Sequence, residues 1–578
     1  MLRGPDTRLR FIATLLITAL LPIVGQLVRL QVLEPGRYRN ELNTIVRRQY
    51  ALPEPPWGLI MDRHDDLLVS NVPVYNVGAE VSLVRDPQAA AELLAPLLNR
   101  PAAELARVLT APPESDGVVW RPLATHIPEA EARALMALRL SWLTLAPTWE
   151  RSYTEGALAA HLLGFVNQDG FGYGVHAFQL RFLRGERFAR IGAVSGDTIP
   201  MPDELLEGGL IPYPGTDLQL TIDRTLQAFV EGELEKAIHE FSASGGTIIV
   251  MNPRTGEILA MANYPSYEPA RYHAYAAAGQ EDIFLNPAVS ELYEPGSVFK
   301  VVTVAAALDS GRVTRNWSYN DIGIIEYGGI VIRNAAGVGY GQQSLEELLV
   351  KSLNVGSTTL STRILGPTVF YNYVRSFGFG QTTGIELAGE VPGSLRLPSD
   401  WDWSDSHLAT NSFGQGIAVT PLQMTAAVAA IANEGEMLQP RIIAERRYPD
   451  GRVIPIPPRS LGRPISPETA QVMIQLMEST VEHQAMAAKV EGYRIAGKGG
   501  TSQIPTIGGY EREDVITSFV GFGPLPDPEV VILVKIDRPR IARHLRWGIF
   551  TAAPVFERVA SRAFVLLGIP PTDLRAGP

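Results

Sequence analysis

The sequence predicts an α/β fold in which an antiparallel sheet is covered by helices, with an elongated α+β module and one membrane helix ahead of it. Three observations predict it. Residues 11–28 form an uncharged, mostly apolar run. Residues 37–215 are rich in proline, glycine and short apolar stretches. From residue 216 onward, strand-like and helix-like segments follow one another to a closing helix.

The apolar run is about as long as the shortest membrane-spanning helices, which need roughly 17 residues. Arg3, Arg8 and Arg10 precede it and Arg29 follows. A cleaved signal peptide is the rival reading, but no small-x-small site follows, so the run is expected to be a retained anchor. The arginines place residues 1–10 in the cytoplasm as a short tail and everything after Arg29 outside.

The module at 37–215 shows helical patterns around 87–98 and 129–138 and a strand-like piece around 75–84. It carries no catalytic constellation. After Gly215 the texture changes. Residues 218–222 read as a strand and 225–241 as an amphipathic helix. Two apolar runs, 246–252 and 257–263, are joined by Pro253-Arg-Thr-Gly256, which reads as a hairpin. Helices are predicted at 298–308, 345–364, 421–433 and 467–481, strands at 516–522 and 530–536, and a last helix at 554–567, with a tail at 570–578.

Composition narrows the function. With 578 residues the chain is too long for one core, so two or more domains are expected. A formal net charge of -11 disfavours nucleic acid as the main partner. Cysteine is absent, which removes disulfides, thiolate catalysis and zinc-thiolate sites. The nine histidines include no HExxH or similar pairing, so a metal site is not indicated. Lysine occurs only at Lys236, Lys300, Lys351, Lys489, Lys498 and Lys535; every other basic residue is arginine. An ammonium can lose its proton when desolvated and a guanidinium effectively cannot, so a retained lysine marks a candidate base. Lys236, Lys489 and Lys535 read as compositional drift.

The segment Tyr293-Glu-Pro-Gly-Ser297-Val-Phe-Lys300 puts a Pro-Gly turn before a helix, with Ser297 in its first turn and Lys300 three positions on, on the same face. A serine hydroxyl needs a base to become a nucleophile, and a desolvated lysine can supply one. Ser352-Leu-Asn354 offers a hydroxyl and an amide within a predicted helix, and Lys498-Gly499-Gly500-Thr501 offers a cation beside flexible backbone after a strand. Each piece alone fits a bland structural role. Together, in this order and about 55 and about 145 residues apart, they resemble the ordered motif set of penicillin-binding proteins and class A β-lactamases.

The chain closely resembles the class B penicillin-binding proteins, monofunctional peptidoglycan DD-transpeptidases of elongation and division. The likeness extends to Leu220-Thr-Ile-Asp223, Asn252-Pro-Arg-Thr-Gly-Glu-Ile-Leu-Ala-Met261, Phe377-Gly-Phe-Gly380, Ser412-Phe-Gly-Gln-Gly416, Thr420-Pro-Leu-Gln423, Ser518-Phe-Val-Gly-Phe522 and Ala553-Pro-Val-Phe556. Gly58-Leu-Ile-Met-Asp-Arg63, Arg151-Ser-Tyr153 and His161-Leu-Leu-Gly-Phe165 are similar to the family's non-catalytic pedestal, and Arg29-Leu-Gln-Val32 to its membrane exit. The resemblance implies a pedestal at 37–215, a transpeptidase domain at 216–569 and an extracytoplasmic site on the plasma membrane.

It further implies that Ser297 attacks the penultimate D-alanine carbonyl of a stem peptide, that Lys300 takes the serine proton, and that Ser352 and Asn354 relay it and orient the acyl chain. Lys498 would hold the site's electrostatics and help bind the substrate carboxylate, with Gly499, Gly500 and Thr501 lining the substrate and the Ser297 and Thr501 N–H groups forming an oxyanion hole. Peptidoglycan stem peptides, β-lactams and a polytopic glycan polymerase of the shape, elongation, division and sporulation type are the implied partners, and no metal or organic cofactor is implied. Three positions depart from the family's pattern. Gly499 replaces a hydroxyl residue, which weakens expected β-lactam binding; Trp57 replaces an arginine; His176 replaces a glutamate. A DD-carboxypeptidase or β-lactamase-type hydrolase and a catalytically weak scaffold are the alternatives. No glutamate that would position a deacylating water is identifiable, and Gly499 keeps the scaffold in play.

Overall fold

The computed structural model describes residues 5–29, 55–110, 120–167, 170–185, 214–506 and 509–575. Residues 1–4 of the tail, 30–32 of the membrane-exit resemblance, 576–578, and residues 37–54, 111–119, 168–169 and 186–213 of the pedestal lie outside them. The chain forms two compact units. One holds Met1–Pro56, Pro73–Glu150 and Gly185–Pro214; the other holds Trp57–Val72, Arg151–Arg184 and Gly215–Pro578.

In the first unit a helix spans Pro5–Val28 and leaves Ile12, Leu15, Leu20, Leu21, Ile23 and Leu27 exposed. Thr14 and Thr18 interrupt its apolar run, donating their hydroxyls to backbone carbonyls four residues back. Among the described residues no helix is long and apolar enough to cross a membrane, so the fold does not show the span expected at 11–28. The rest of the unit is an α+β layer. Val74–Glu80 of the strand Leu67–Glu80 pairs antiparallel with Trp120–Pro128. Helices Pro87–Leu98, Ala102–Thr110 and Glu129–Ala137 pack on it through Leu94, Leu105, Leu109, Leu123 and Leu135. The first of these helices starts where the chemistry says it should, with the Asp86 carboxylate accepting from Ala89 N–H and Pro87 at the first helical position.

The second unit is built on a five-stranded, wholly antiparallel sheet. Its order is Ala496–Thr506, Gly509–Gly523, Val530–Asp537, Gly245–Met251, Ile258–Tyr264. Helices cover both faces, which is why the central strands read as continuous apolar runs rather than alternating ones. Helices Arg224–Phe241 and Ala552–Leu566 share one core with Ile248, Val250, Phe519, Ile532 and Val534. Helices Lys300–Asp309, Pro421–Ala432 and Pro467–His483 share the other with Ile249, Met251, Val520, Val531 and Leu533. All twelve residues of Pro421–Ala432 are buried. The predicted hairpin is present: Asn252 Oδ1 accepts from Arg254 N–H, and Gly256 turns the chain at φ +73°.

Trp57 and His176 meet at one arginine in this unit. Arg151 lies over the Trp57 ring at 5.7 Å and donates from Nε to His176 Nε2 at 3.0 Å. Burial, aided by the arginine's charge, pushes His176 down to about 3, so a neutral imidazole donates from Nδ1 to Leu163 O and accepts from the guanidinium. A second Arg151 nitrogen donates to Gly58 O and Asn71 Oδ1.

Candidate active site

Gly296 takes φ +54°, and a Cβ there would stand 2.7 Å from Thr501 O, so only glycine lets the chain turn this tightly against the neighbouring strand. The Gly296 N–H donates to Gly414 O, which pins the turn from its other side. The chain then makes a 3-10 turn, Gly296–Phe299, and continues as the α-helix Lys300–Asp309. With three residues per turn, side chains at i and i+3 eclipse one another. Lys300 Nζ accordingly lies 3.1 Å from Ser297 Oγ. The helix is buried along nearly its whole length, and Lys300 is 0% exposed.

The second piece departs from its predicted setting. A continuous helix over 345–364 would turn the side chains of residues 352 and 354 onto different faces. The helix instead stops at Val350, Ser352 adopts the left-handed region at φ +57°, Leu353 is extended, and a new helix begins at Asn354. Strain of this kind is characteristic of functional sites. The break lets both residues reach one amine: Ser352 O lies 2.6 Å, Asn354 Oδ1 2.8 Å and Ser352 Oγ 3.2 Å from Lys300 Nζ. Asn354 is itself oriented by donating to Arg333 O.

The third piece also differs from expectation. Lys498-Gly-Gly-Thr501, whose sequence suggests a turn after a strand, lies inside the strand Ala496–Thr506, paired with 517–520. Regular pairing overrides the low strand propensity of two glycines. Lys498 is 1% exposed, and its Nζ lies 3.2 Å from Ser352 Oγ and 3.0 Å from Gly499 O. The Ser352 hydroxyl therefore bridges two lysine amines.

No described carboxylate forms an ion pair with either amine. Burial pushes the Lys498 ammonium down to about 7. Lys300 falls well below the usual lysine range, first through burial and then through the charge of Lys498. A neutral Lys300 has two N–H donors, which match its two closest acceptors, and one lone pair left for the Ser297 hydroxyl. That is the geometry of a general base on a nucleophile.

A cavity of about 310 Å³ opens onto these groups and is lined by Ser297, Lys351, Ser352, Asn354, Lys498, Gly499, Gly500 and Thr501. Trp547, Gly548, Ile549 and Phe550 close it from a segment that carries no motif and gave no signal in the sequence. Glu294 was also missed, although it lies inside the nucleophile motif. It is buried, accepts from Gly416 N–H at 2.9 Å and Tyr510 O–H at 3.3 Å, and burial pushes its carboxyl up to about 7. Among the described residues no group of three or more acidic or histidine side chains could hold a metal ion.

Residues 246–561 match the penicillin binding protein transpeptidase domain, and residues 53–173 the penicillin-binding protein dimerisation domain. The chain belongs to the penicillin-binding protein transpeptidase family. It is 33% identical over 523 residues to Stage V sporulation protein D of Bacillus subtilis, covering 90% of this chain and 79% of that one. It is 29% identical over 579 residues to the peptidoglycan D,D-transpeptidase FtsI of Escherichia coli, covering 97% and 92%. Among solved structures, a peptidoglycan synthetase from Bifidobacterium adolescentis superposes with a TM-score of 0.71 at 27% identity, covering 90% and 97% of the two chains. Penicillin binding protein 3 of Mycobacterium tuberculosis, complexed with ampicillin, superposes with a TM-score of 0.68 at 27% identity, covering 91% and 98%. The penicillin-binding fold expected from the sequence is thus the observed one.

Proposed function

We propose that this penicillin-binding protein is a serine-type peptidoglycan DD-transpeptidase that cross-links stem peptides and is acylated by β-lactams at Ser297. The observation that carries the reading is the buried Lys300 amine, ion-paired to no described carboxylate and 3.1 Å from the Ser297 hydroxyl, with Ser352, Asn354 and Lys498 in the same cleft. Ser297 Oγ bonds to the carbonyl carbon of the penultimate D-alanine while its proton passes to Lys300 Nζ. The N–H groups of Ser297 and Thr501 stabilise the developing oxyanion, a contribution of roughly a hundredfold per donor. The C–N bond then breaks, and the leaving D-alanine amine receives that proton through Ser352 Oγ, 3.2 Å from the Lys300 amine. The amine of a second stem peptide attacks the ester, returns a proton to Ser297 by the same route, and leaves with the new amide bond.

The chain acts at the outer face of the plasma membrane, anchored by the helix Pro5–Val28; the row of apolar side chains it exposes supports this. Its partner there is a polytopic glycan polymerase. The test of the chemistry is mass spectrometry of intact protein after treatment with penicillin. One covalent adduct on Ser297 is expected, lost in S297A. An adduct that survives S297A, or turnover of a D-Ala-D-Ala peptide by that variant, overturns the mechanism. Fractionation of membranes under high salt tests the anchor; a protein released into the soluble fraction overturns it.

A further inference from the structure

The chain break that carries Ser352 and Asn354 is held by residues outside all three motifs. The helix Asn354–Thr359 begins after Leu353, whose side chain cannot cap it. Its Val355 N–H, at the second helical position, donates instead to Asn334 Oδ1 at 3.2 Å. An asparagine 21 residues earlier in the chain thus does what a capping residue at 353 would do.

Asn334 follows the hairpin formed by Ile324–Tyr327 and Ile330–Arg333, and it is buried. Its Nδ2 donates to both oxygens of Asp321, at 3.1 and 2.8 Å, and to Val338 O at 3.2 Å. Asp321 is 1% exposed, forms no ion pair among the described residues, and also accepts from Gly323 N–H at 3.1 Å. A buried carboxylate without a cation has to be held by hydrogen bonds. The acid therefore fixes which way the Asn334 amide points, nitrogen toward Asp321 and oxygen toward Val355.

The adjoining peptide unit adds a second point of support. Arg333 O accepts from Asn354 Nδ2 at 2.9 Å, while the N–H of the same peptide, that of Asn334, donates to Gly323 O at 3.2 Å. Consecutive groups at 333 and 334 hold consecutive residues at 354 and 355. With its nitrogen committed to Arg333 O, the Asn354 amide turns its oxygen to Lys300 Nζ, 2.8 Å away. Ser352, at φ +57°, is in a conformation that persists only where its surroundings enforce it.

We propose that Asn334, anchored on Asp321, is a positioning residue for acyl transfer: it holds the break at 352–354 in the form that brings Ser352 and Asn354 to the Lys300 amine. The inference rests on the reading of Ser297 as nucleophile and Lys300 as its base, and Asn334 acts on them through Ser352 and Asn354.

The test is the limiting rate and the half-saturating concentration for acylation by labelled penicillin, with folding followed by thermal denaturation. N334A removes the acceptor from Val355 N–H and the donor from Asp321. Its limiting rate should fall at least about fivefold while the half-saturating concentration stays within about twofold. D321N keeps the shape of the site. There Gly323 N–H holds an oxygen at the Oδ1 position, which sets the introduced amide nitrogen against Asn334 Nδ2, donor against donor. The same fall of at least about fivefold is expected. V331A, on a 52% exposed position of the same hairpin, should keep the wild-type rate. A smaller fall in either folded variant overturns the proposal, as does a loss confined to the half-saturating concentration or an equal loss in V331A. If N334A does not fold, the isosteric D321N decides. A wild type that is acylated beside unaffected variants defeats this inference and leaves the catalytic reading intact; a wild type that forms no acyl-enzyme defeats the catalytic reading itself.

Discussion

Lys535 and the Lys300–Lys498 pair are equally buried, and their surroundings give them opposite character. Lys535 is 0% exposed, lies 2.6 Å from Asp537 and 3.1 Å from Glu291, and faces the Tyr293 ring at 5.6 Å. The two carboxylates overcome burial and hold its proton more tightly than water would. Lys300 and Lys498 have hydroxyls, an amide and carbonyls around them, and burial loosens their protons. Burial alone makes a lysine a base; burial with acids makes it a strut.

The largest expected effect separates the two classes by chemistry. K300R should slow acylation by labelled penicillin roughly a thousandfold, because a guanidinium cannot accept the Ser297 proton. K535R should keep the rate within about threefold, since arginine preserves both ion pairs. Equal losses in both variants would erase the distinction. Next in size is stability: K535M leaves the Asp537 carboxylate, 13% exposed, without its cation and should cost about 3 kcal/mol in denaturant unfolding. An unchanged unfolding midpoint would show that Lys535 is not a strut.

The pH dependence sharpens the contrast further. The folded state binds the Lys498 proton less tightly than the unfolded chain, so its penalty is complete below about 7 and disappears as pH rises toward 10.5. K498M should therefore melt a few degrees higher than wild type at neutral pH, with the gap closing in alkaline buffer, while losing activity. For Lys535 the sign reverses: its contribution is complete below 10.5 and is lost only above that. The smallest effect concerns Glu294, whose raised carboxyl stabilises the fold below 4.5 and loses that contribution as pH rises through about 7. The melting temperature of E294Q should gain on wild type from about pH 5 to about pH 8; a constant gap would show that the carboxyl titrates as though in water.

The sequence exposed the chemistry more fully than the geometry. Ser297 and Lys300 were legible because a fixed spacing of three survives in either kind of helix. The break at Ser352 was not, since the contact of its carbonyl with Lys300, 52 residues away in the chain, overrides the local helical pattern. Lys498 was found by its motif and misplaced by its glycines, which suggest a turn until the partner strand is known. The wall at Trp547–Phe550 had no periodicity to reveal it. Glu294 lay in plain view inside a motif, and only its burial and its two donors mark it. Lys535 read as drift, because the acids that explain it are far away in sequence or carry no motif.

Trp57 and His176 hold Arg151 from two sides, one with a ring face and the other with a neutral acceptor. An arginine at position 57 would bring a second cation toward Arg151, whose Nε now meets a neutral imidazole. A glutamate at 176 would give Nε a charged acceptor but would leave Leu163 O without the Nδ1–H it now accepts from. A change at either position therefore alters the charge around Arg151 that the other has to match, so the setting of this guanidinium belongs to the pair rather than to either residue.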